Sequence, residues 1–119
     1  MLTQQHDLQT ALCNYLLLLQ KASYFDAHEV LEEAWHPMRK SNHPLSNLIK
    51  GLINAAIAFE HLKRNRYNAK RKALTVIASY ERHKHLCRHG IAQHQLFDQA
   101  CKKIEGLKKT NDLFRKPMI

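Results

Sequence analysis

The sequence predicts an all-α protein, a single-domain bundle of about five helices over residues 1–119. Three observations carry this. Every long segment repeats its apolar residues at three- and four-residue steps, the period of one helix face. Gly and Pro number only three each, too few for a turn-rich β protein. The polar stretches between periodic segments are short, as in a bundle. At 119 residues the chain is one domain by length and can bury a core without staples.

Helix one is expected over about residues 3–21, where Leu8, Leu12, Tyr15, Leu16 and Leu19 share a face. Ser23 and Asp26 have the spacing of a capping box with a shorter acid, so helix two should begin there. It should end by Pro37, which has no N–H to continue the ladder. Asn42, His43 and Pro44 read as a turn leading into helix three, which runs to about Arg64. Its apolar residues are Leu48, Leu52, Ala55, Ala56, Phe59 and Leu62. Helix four is expected over about 67–88, with Leu74, Ile77, Ala78 and Tyr80 inside and Gly90 closing it. Helix five should cover about 91–108, with Phe97, Cys101, Ile104 and Leu107 inside. In the tail, Leu113, Phe114 and Met118 suggest docking on the core.

Composition narrows the function classes. No apolar run, residues 16–19 and 55–59 included, is nearly long enough to span a bilayer, so no membrane role is expected. Residues 1–7 lack the basic opening of a secretory leader. Cys13, Cys87 and Cys101 are odd in number and widely spaced, which fits a reducing cytoplasm better than a disulfide framework. Nineteen Lys and Arg against ten acids give a formal charge of +9, with nine His besides. Such a balance attracts anions, although it also serves solubility alone.

Against that charge, Asp26, Glu29, Glu32 and Glu33 fall within eight positions. Clustered carboxylates need a cation, a basic side chain or solvent to offset their repulsion. His28, Glu32 and Trp35 stand at i, i+4 and i+7, on one stripe of helix two, with Glu29 beside it. On helix three, Gly51, Asn54, Ala58, His61 and Asn65 fall within about an 80° arc. An interior Gly costs a helix nearly 1 kcal/mol relative to Ala, so Gly51 implies close packing or room for a ligand.

His28 and Glu32 have metal-ligand spacing, and His61 could complete three ligands for a divalent metal. Glu29 would then polarise the attacking water. The plainer alternative is a hydrogen-bonded network of the same groups, with Trp35 as a core anchor. Either way, the expectation is that His28, Glu32 and His61 converge in a cleft between helices two and three. Trp35, Gly51, Asn54 and Asn65 would line it.

The run Ala27, His28, Glu29, Glu32 and Trp35, followed by Lys50, Gly51, Asn54, His61, Asn65 and Ala69, resembles the domain-of-unknown-function family number 309. The resemblance spans about residues 23–74. It implies a small helical fold and a metal-dependent hydrolase label that was itself inferred from the motif. Asn54 departs from the Gln common in that family, and Arg66 from the small residue usual after Asn65.

Two other clusters stand out. His83, His85, Cys87, His89 and His94 could bind a soft metal, but Arg82, Lys84 and Arg88 oppose a cation there. Lys63, Arg64, Arg66, Lys70, Arg71 and Lys72 form the densest basic run, and Tyr67 is its only aromatic. It reads as a solvated face or as a non-specific polyanion contact. A catalytic reading and two non-catalytic ones are therefore expected in competition. The first is a cytoplasmic metal-dependent hydrolase acting on a small molecule. The others are a non-catalytic anion or nucleic-acid binding module and a purely structural interaction protein.

Overall fold

The computed structural model describes residues 4–113, with side chains from Leu8 onward. Its main elements are α1 (Gln4–Gln20), α2 (Tyr24–Lys40), α3 (Ser46–Arg64), α4 (Ala69–His83) and α5 (His94–Thr110). A single 3-10 turn, Lys84–Leu86, follows α4. No strand occurs among the described residues. The fold is therefore all-α with five main helices, as the periodicity predicts. Phe114 and Met118, the remaining tail residues expected to dock, lie outside the described residues. Leu113 does dock and is 1% exposed.

Helix α3 is the centre. Leu48, Ile49, Gly51, Leu52, Ile53, Ala55, Ala56, Ala58 and Phe59 are all buried, because neighbours cover it on several sides. It packs on α2 and α4, while α1 bridges α2 and α5. The Tyr15 hydroxyl of α1 donates to the Leu52 carbonyl at 2.7 Å, which satisfies a fully buried phenol. Burial holds that phenol well above its ordinary pKa.

Helices α2 and α3 are antiparallel. At one end, Lys63 Nζ in the last turn of α3 donates to the Ala22 carbonyl just before α2, at 2.8 Å. At the other, Lys50 Nζ near the start of α3 stands 4.4 Å from the ring centre of Trp35.

Several boundaries differ from the sequence expectation. Helix α2 continues past Pro37 to Lys40. Pro37 is exposed, so its ring meets solvent, and Met38, 1% exposed, anchors the final turn in the core. That burial offsets the one hydrogen bond proline forfeits. Ser23 is the N-cap as expected, but its side chain makes no capping bond. Helix α4 stops at His83, because residues 81–85 offer no apolar side chain to bury. Gly90 does take a left-handed conformation, φ 95°, but in the connection to α5 and not as the cap of α4. Helix α5 begins at His94, after a left-handed Gln93, and not at Ile91.

Three ends share one device. Ala22, Asn42 and Asp112 each adopt positive φ. At each, the N–H of the left-handed residue bonds three residues back and the next N–H bonds five back: Ala22 to Leu19 and Ser23 to Leu18, Asn42 to Arg39 and His43 to Met38, Asp112 to Lys109 and Leu113 to Lys108. This is the Schellman closure, built without glycine.

Candidate functional site

Helix α2 holds the first group. His28 Nδ1 lies 2.6 Å from the Phe25 carbonyl oxygen. A carbonyl only accepts, so Nδ1 carries the proton. This leaves Nε2, which stands 3.4 Å from Glu32 Oε2. Nε2 then either carries a second proton shared with the carboxylate or turns a lone pair to a cation between them. His36 Nε2 approaches the other oxygen, Glu32 Oε1, at 3.9 Å, so one carboxylate faces two imidazoles. Sequence reasoning missed His36, although its i+4 spacing from Glu32 was visible. Asp26, Glu29 and Glu33 are exposed, so solvent reaches them and screens their mutual repulsion. Trp35 is half-buried, with Lys50 Nζ at 4.4 Å and the Arg39 guanidinium at 5.3 Å from its ring centre. It is thus both a packing residue and a cation platform.

The stripe on α3 faces α4. A Cβ added at Gly51 would lie 2.9 Å from the Tyr80 Cα, so this glycine permits the closest approach of the two helices. Ala58 is buried and Asn54 half-buried. His61 is half-buried and opens into a cavity of about 320 Å³ shared with Asn68, Arg71, Lys72, Thr75 and Val76. Asn65 is exposed and left-handed, φ 48°, and its N–H closes α3 onto the His61 carbonyl at 3.0 Å. Asn suits that backbone geometry.

His28 and Glu32 therefore meet, whereas His61 lines a cavity with α4. Among the described residues, no group of three or more His, Cys, Asp or Glu is placed to hold one ion. The donors present at His28 and Glu32 supply two ligands, one fewer than a protein zinc site of the hydrolase type needs.

The basic run divides on inspection of its partners. Lys63 holds the Ala22 carbonyl, Arg64 Nε pairs with Glu60 at 2.6 Å, and Lys70 pairs with Asp112 at 3.2 Å. Arg66, Arg71 and Lys72 are exposed, and no described carboxylate pairs with them. The cavity that Arg71 and Lys72 border has no acid in its lining. It also adjoins the N-terminus of α4, where Asn68 makes no side-chain cap, so first-turn N–H donors remain for water or an anion.

A second polar group, absent from the sequence expectation, joins α4 to α5. Lys108 is 4% exposed and bonds Glu81 and, at 3.0 Å, Glu105. The Tyr80 hydroxyl donates to Glu105 Oε2 at 2.6 Å, and Lys84 lies 3.0 Å from Glu81 Oε2. Burial and then the Glu105 carboxylate push the Tyr80 phenol far up. Partial burial opposes ionisation of Glu105, but the Tyr80 hydroxyl and Lys108 outweigh it and hold its carboxyl below the usual range. An open groove of about 1400 Å³ runs beside this group, floored by Leu74, Ile77, Ala78 and Leu113.

Among the described residues, the His83–His94 region brings no three His, Cys, Asp or Glu side chains together. His83 Nδ1 bonds the Ser79 carbonyl at 3.0 Å, and His89 stacks on His94 with centroids 4.4 Å apart. Burial, followed by its neighbour Cys87, pushes the Cys101 thiol up to about 12, which leaves it unreactive at neutral pH.

Fold and site together define a small α-helical domain with His28 and His36 flanking Glu32 on α2 and, where α3 meets α4, a cavity lined by Arg71 and Lys72 with no acid in its lining. The chain belongs to the family described as Domain of unknown function (DUF309), whose model matches residues 12–73. The match begins within α1, earlier than the motif-bearing span 23–74, and it ends in α4 at about the expected place. No curated protein and no solved structure matches the chain. No helix among the described residues is long and apolar enough to cross a membrane.

Proposed function

We propose that this protein is a cytoplasmic, non-catalytic binding module whose ligand is a polyanion, engaged at the α3–α4 corner. The observation that carries the reading is the cavity lined by His61, Asn68, Arg71 and Lys72. It gathers cationic and donor groups at a helix N-terminus with no carboxylate to neutralise them. Each phosphate neutralised there releases condensed counterions, so affinity must fall steeply with salt. The test is binding of a labelled polyanion across a salt series, in the parent and in Arg71→Ala/Lys72→Ala. Removing two phosphate contacts should lower the log–log salt slope by roughly 1.5. The loss should be equal for all base sequences, since phosphate contacts carry no sequence information. A parent that is not retained on any polyanion, or a double variant with an unchanged slope, sinks the reading. Charge reversal at Lys40 and Lys102, which do not line the cavity, controls for net charge.

A second reading is a divalent cation held by His28 and Glu32. One observation favours it: Nδ1 of His28 is held by the Phe25 carbonyl, which leaves Nε2 as the atom that would bind metal. Hydrolysis belongs to this reading: His28 and Glu32 would hold the ion, the ion would acidify a water, and Glu29 would act as base. Zn²⁺, Mn²⁺ or Ni²⁺ added to chelator-stripped protein should raise its melting midpoint, and Glu32→Ala should abolish the rise. No rise with any of the three ions removes the reading.

A further inference from the structure

We propose that the polyanion is single-stranded nucleic acid, with a base stacked on Tyr67 and the adjoining phosphate seated in the His61–Arg71–Lys72 cavity. This rests on the polyanion reading and adds the ligand class. The starting point is an anomaly of exposure. Tyr67 is 87% exposed, the most exposed large apolar side chain among the described residues. Its ring makes no ring–ring or cation–ring contact there. A ring left out of the core presents both faces to whatever approaches.

Its position makes the exposure meaningful. Tyr67 sits in the four-residue turn between α3 and α4, flanked by Arg66 and Asn68. The turn is firmly held. Asn65 and Asn68 are both left-handed, and the Ala69 N–H bonds the Arg66 carbonyl at 2.9 Å. The residue after Tyr67, Asn68, already lines the cavity that holds Arg71 and Lys72. A π surface therefore adjoins an acid-free cationic pocket. A second half-exposed ring, Phe25, lies at the same end of the molecule, with the Arg64 guanidinium 5.9 Å from its centre.

Single strands are bound by this combination: cations that track the backbone and aromatic rings that accept any base. A duplex hides its base faces and offers Tyr67 nothing to stack on. A sulfated polysaccharide offers anions but no bases. The three ligands thus separate the stacking claim from the charge claim. DNA and RNA single strands share the chemistry that Tyr67 reads, and a ribose 2′-hydroxyl is the only added handle on RNA.

The experiment is fluorescence anisotropy of the full chain with labelled oligo-dT, oligo-rU, a DNA duplex of equal length, and heparin as competitor. Tyr67→Ala should weaken both single strands roughly 5- to 100-fold, the range for one lost base–aromatic stack. Heparin and duplex binding should be unchanged, and Tyr67→Phe should restore the single-strand affinity. Equal binding of duplex and single strands, or a Tyr67→Ala variant with full single-strand affinity, overturns the inference while leaving polyanion binding intact. Tyr67→Ala that weakens heparin equally also overturns it, because the effect would then be structural. Absence of polyanion binding in the parent overturns both.

Discussion

Gly51 and Gly106 are both mid-helix glycines, and the same substitution should move them in opposite directions. A Cβ at Gly51 would meet the Tyr80 Cα at 2.9 Å and the Ser79 carbonyl oxygen at 3.4 Å. Both are backbone atoms, so no side-chain rotation relieves the contact. Helix α4 would have to retreat by about half an ångström to reach ordinary separation, against packing that resists such shifts. Overpacking of this kind costs about 1–3 kcal/mol, and the helix-propensity gain of Ala over Gly returns about 1. Gly51→Ala should therefore destabilise by about 1 kcal/mol, and Gly51→Leu by more. In α5, a Cβ at Gly106 meets nothing within 4 Å, and the residue is exposed. Gly106→Ala should gain about 0.5–1 kcal/mol from propensity alone. Thermal unfolding followed by circular dichroism reads both. A midpoint lowered by about 4 °C at Gly51 and raised by a similar amount at Gly106 is expected. If both variants rise together, the close approach of α3 and α4 is not what keeps residue 51 a glycine.

Three further outcomes follow from the described geometry. Ala22→Gly should stabilise by roughly 0.5–1 kcal/mol, read as a raised melting midpoint, because Ala22 holds a left-handed φ of 59° that a Cβ disfavours. Lys108→Met should destabilise by about 1–2 kcal/mol rather than the 3–5 of a fully buried pair, since Glu81 and Glu105 can turn to water when Lys108 is gone; an unchanged denaturation midpoint would show the network contributes nothing. Glu105 has a lowered carboxyl pKa in the fold, so its stabilising contribution is complete above the ordinary unfolded carboxyl range and is lost as pH falls through the lowered folded value. Amide protection factors in α5, which correct exchange for its intrinsic pH dependence, should fall over that acid interval in the parent, and Glu105→Gln should flatten the dependence.

The helix faces were legible because burial imposes a period: Leu8, Leu12, Tyr15 and Leu19 in α1, and Phe97 and Ile104 in α5, are all buried. Helix ends were less legible. Their left-handed closing residues are Ala22, Asn42 and Asp112, none a glycine, and the buried Met38 carries α2 through a proline that ordinarily stops a helix. The His28–Glu32 contact followed from spacing along one helix. The facing of the α3 stripe did not, because periodicity gives a face but not the neighbour it meets. Gly51 meets Tyr80 of α4 and His61 lines a cavity with α4. The same limit hid Lys108. Its spacing to Glu105 is visible on α5, but its bond to Glu81 depends on how two helices pack.

The central claim is that the α3–α4 corner, and not the His28–Glu32 cluster, is where ligand binds. Backbone amide NMR during titration with oligo-dT reads every residue at once. The account predicts saturable shifts concentrated at His61, Asn65 through Asn68, Arg71, Lys72 and Thr75, weakening as salt rises. Shifts centred on His28, Glu32 and His36 instead, or no shifts at low salt, would contradict it.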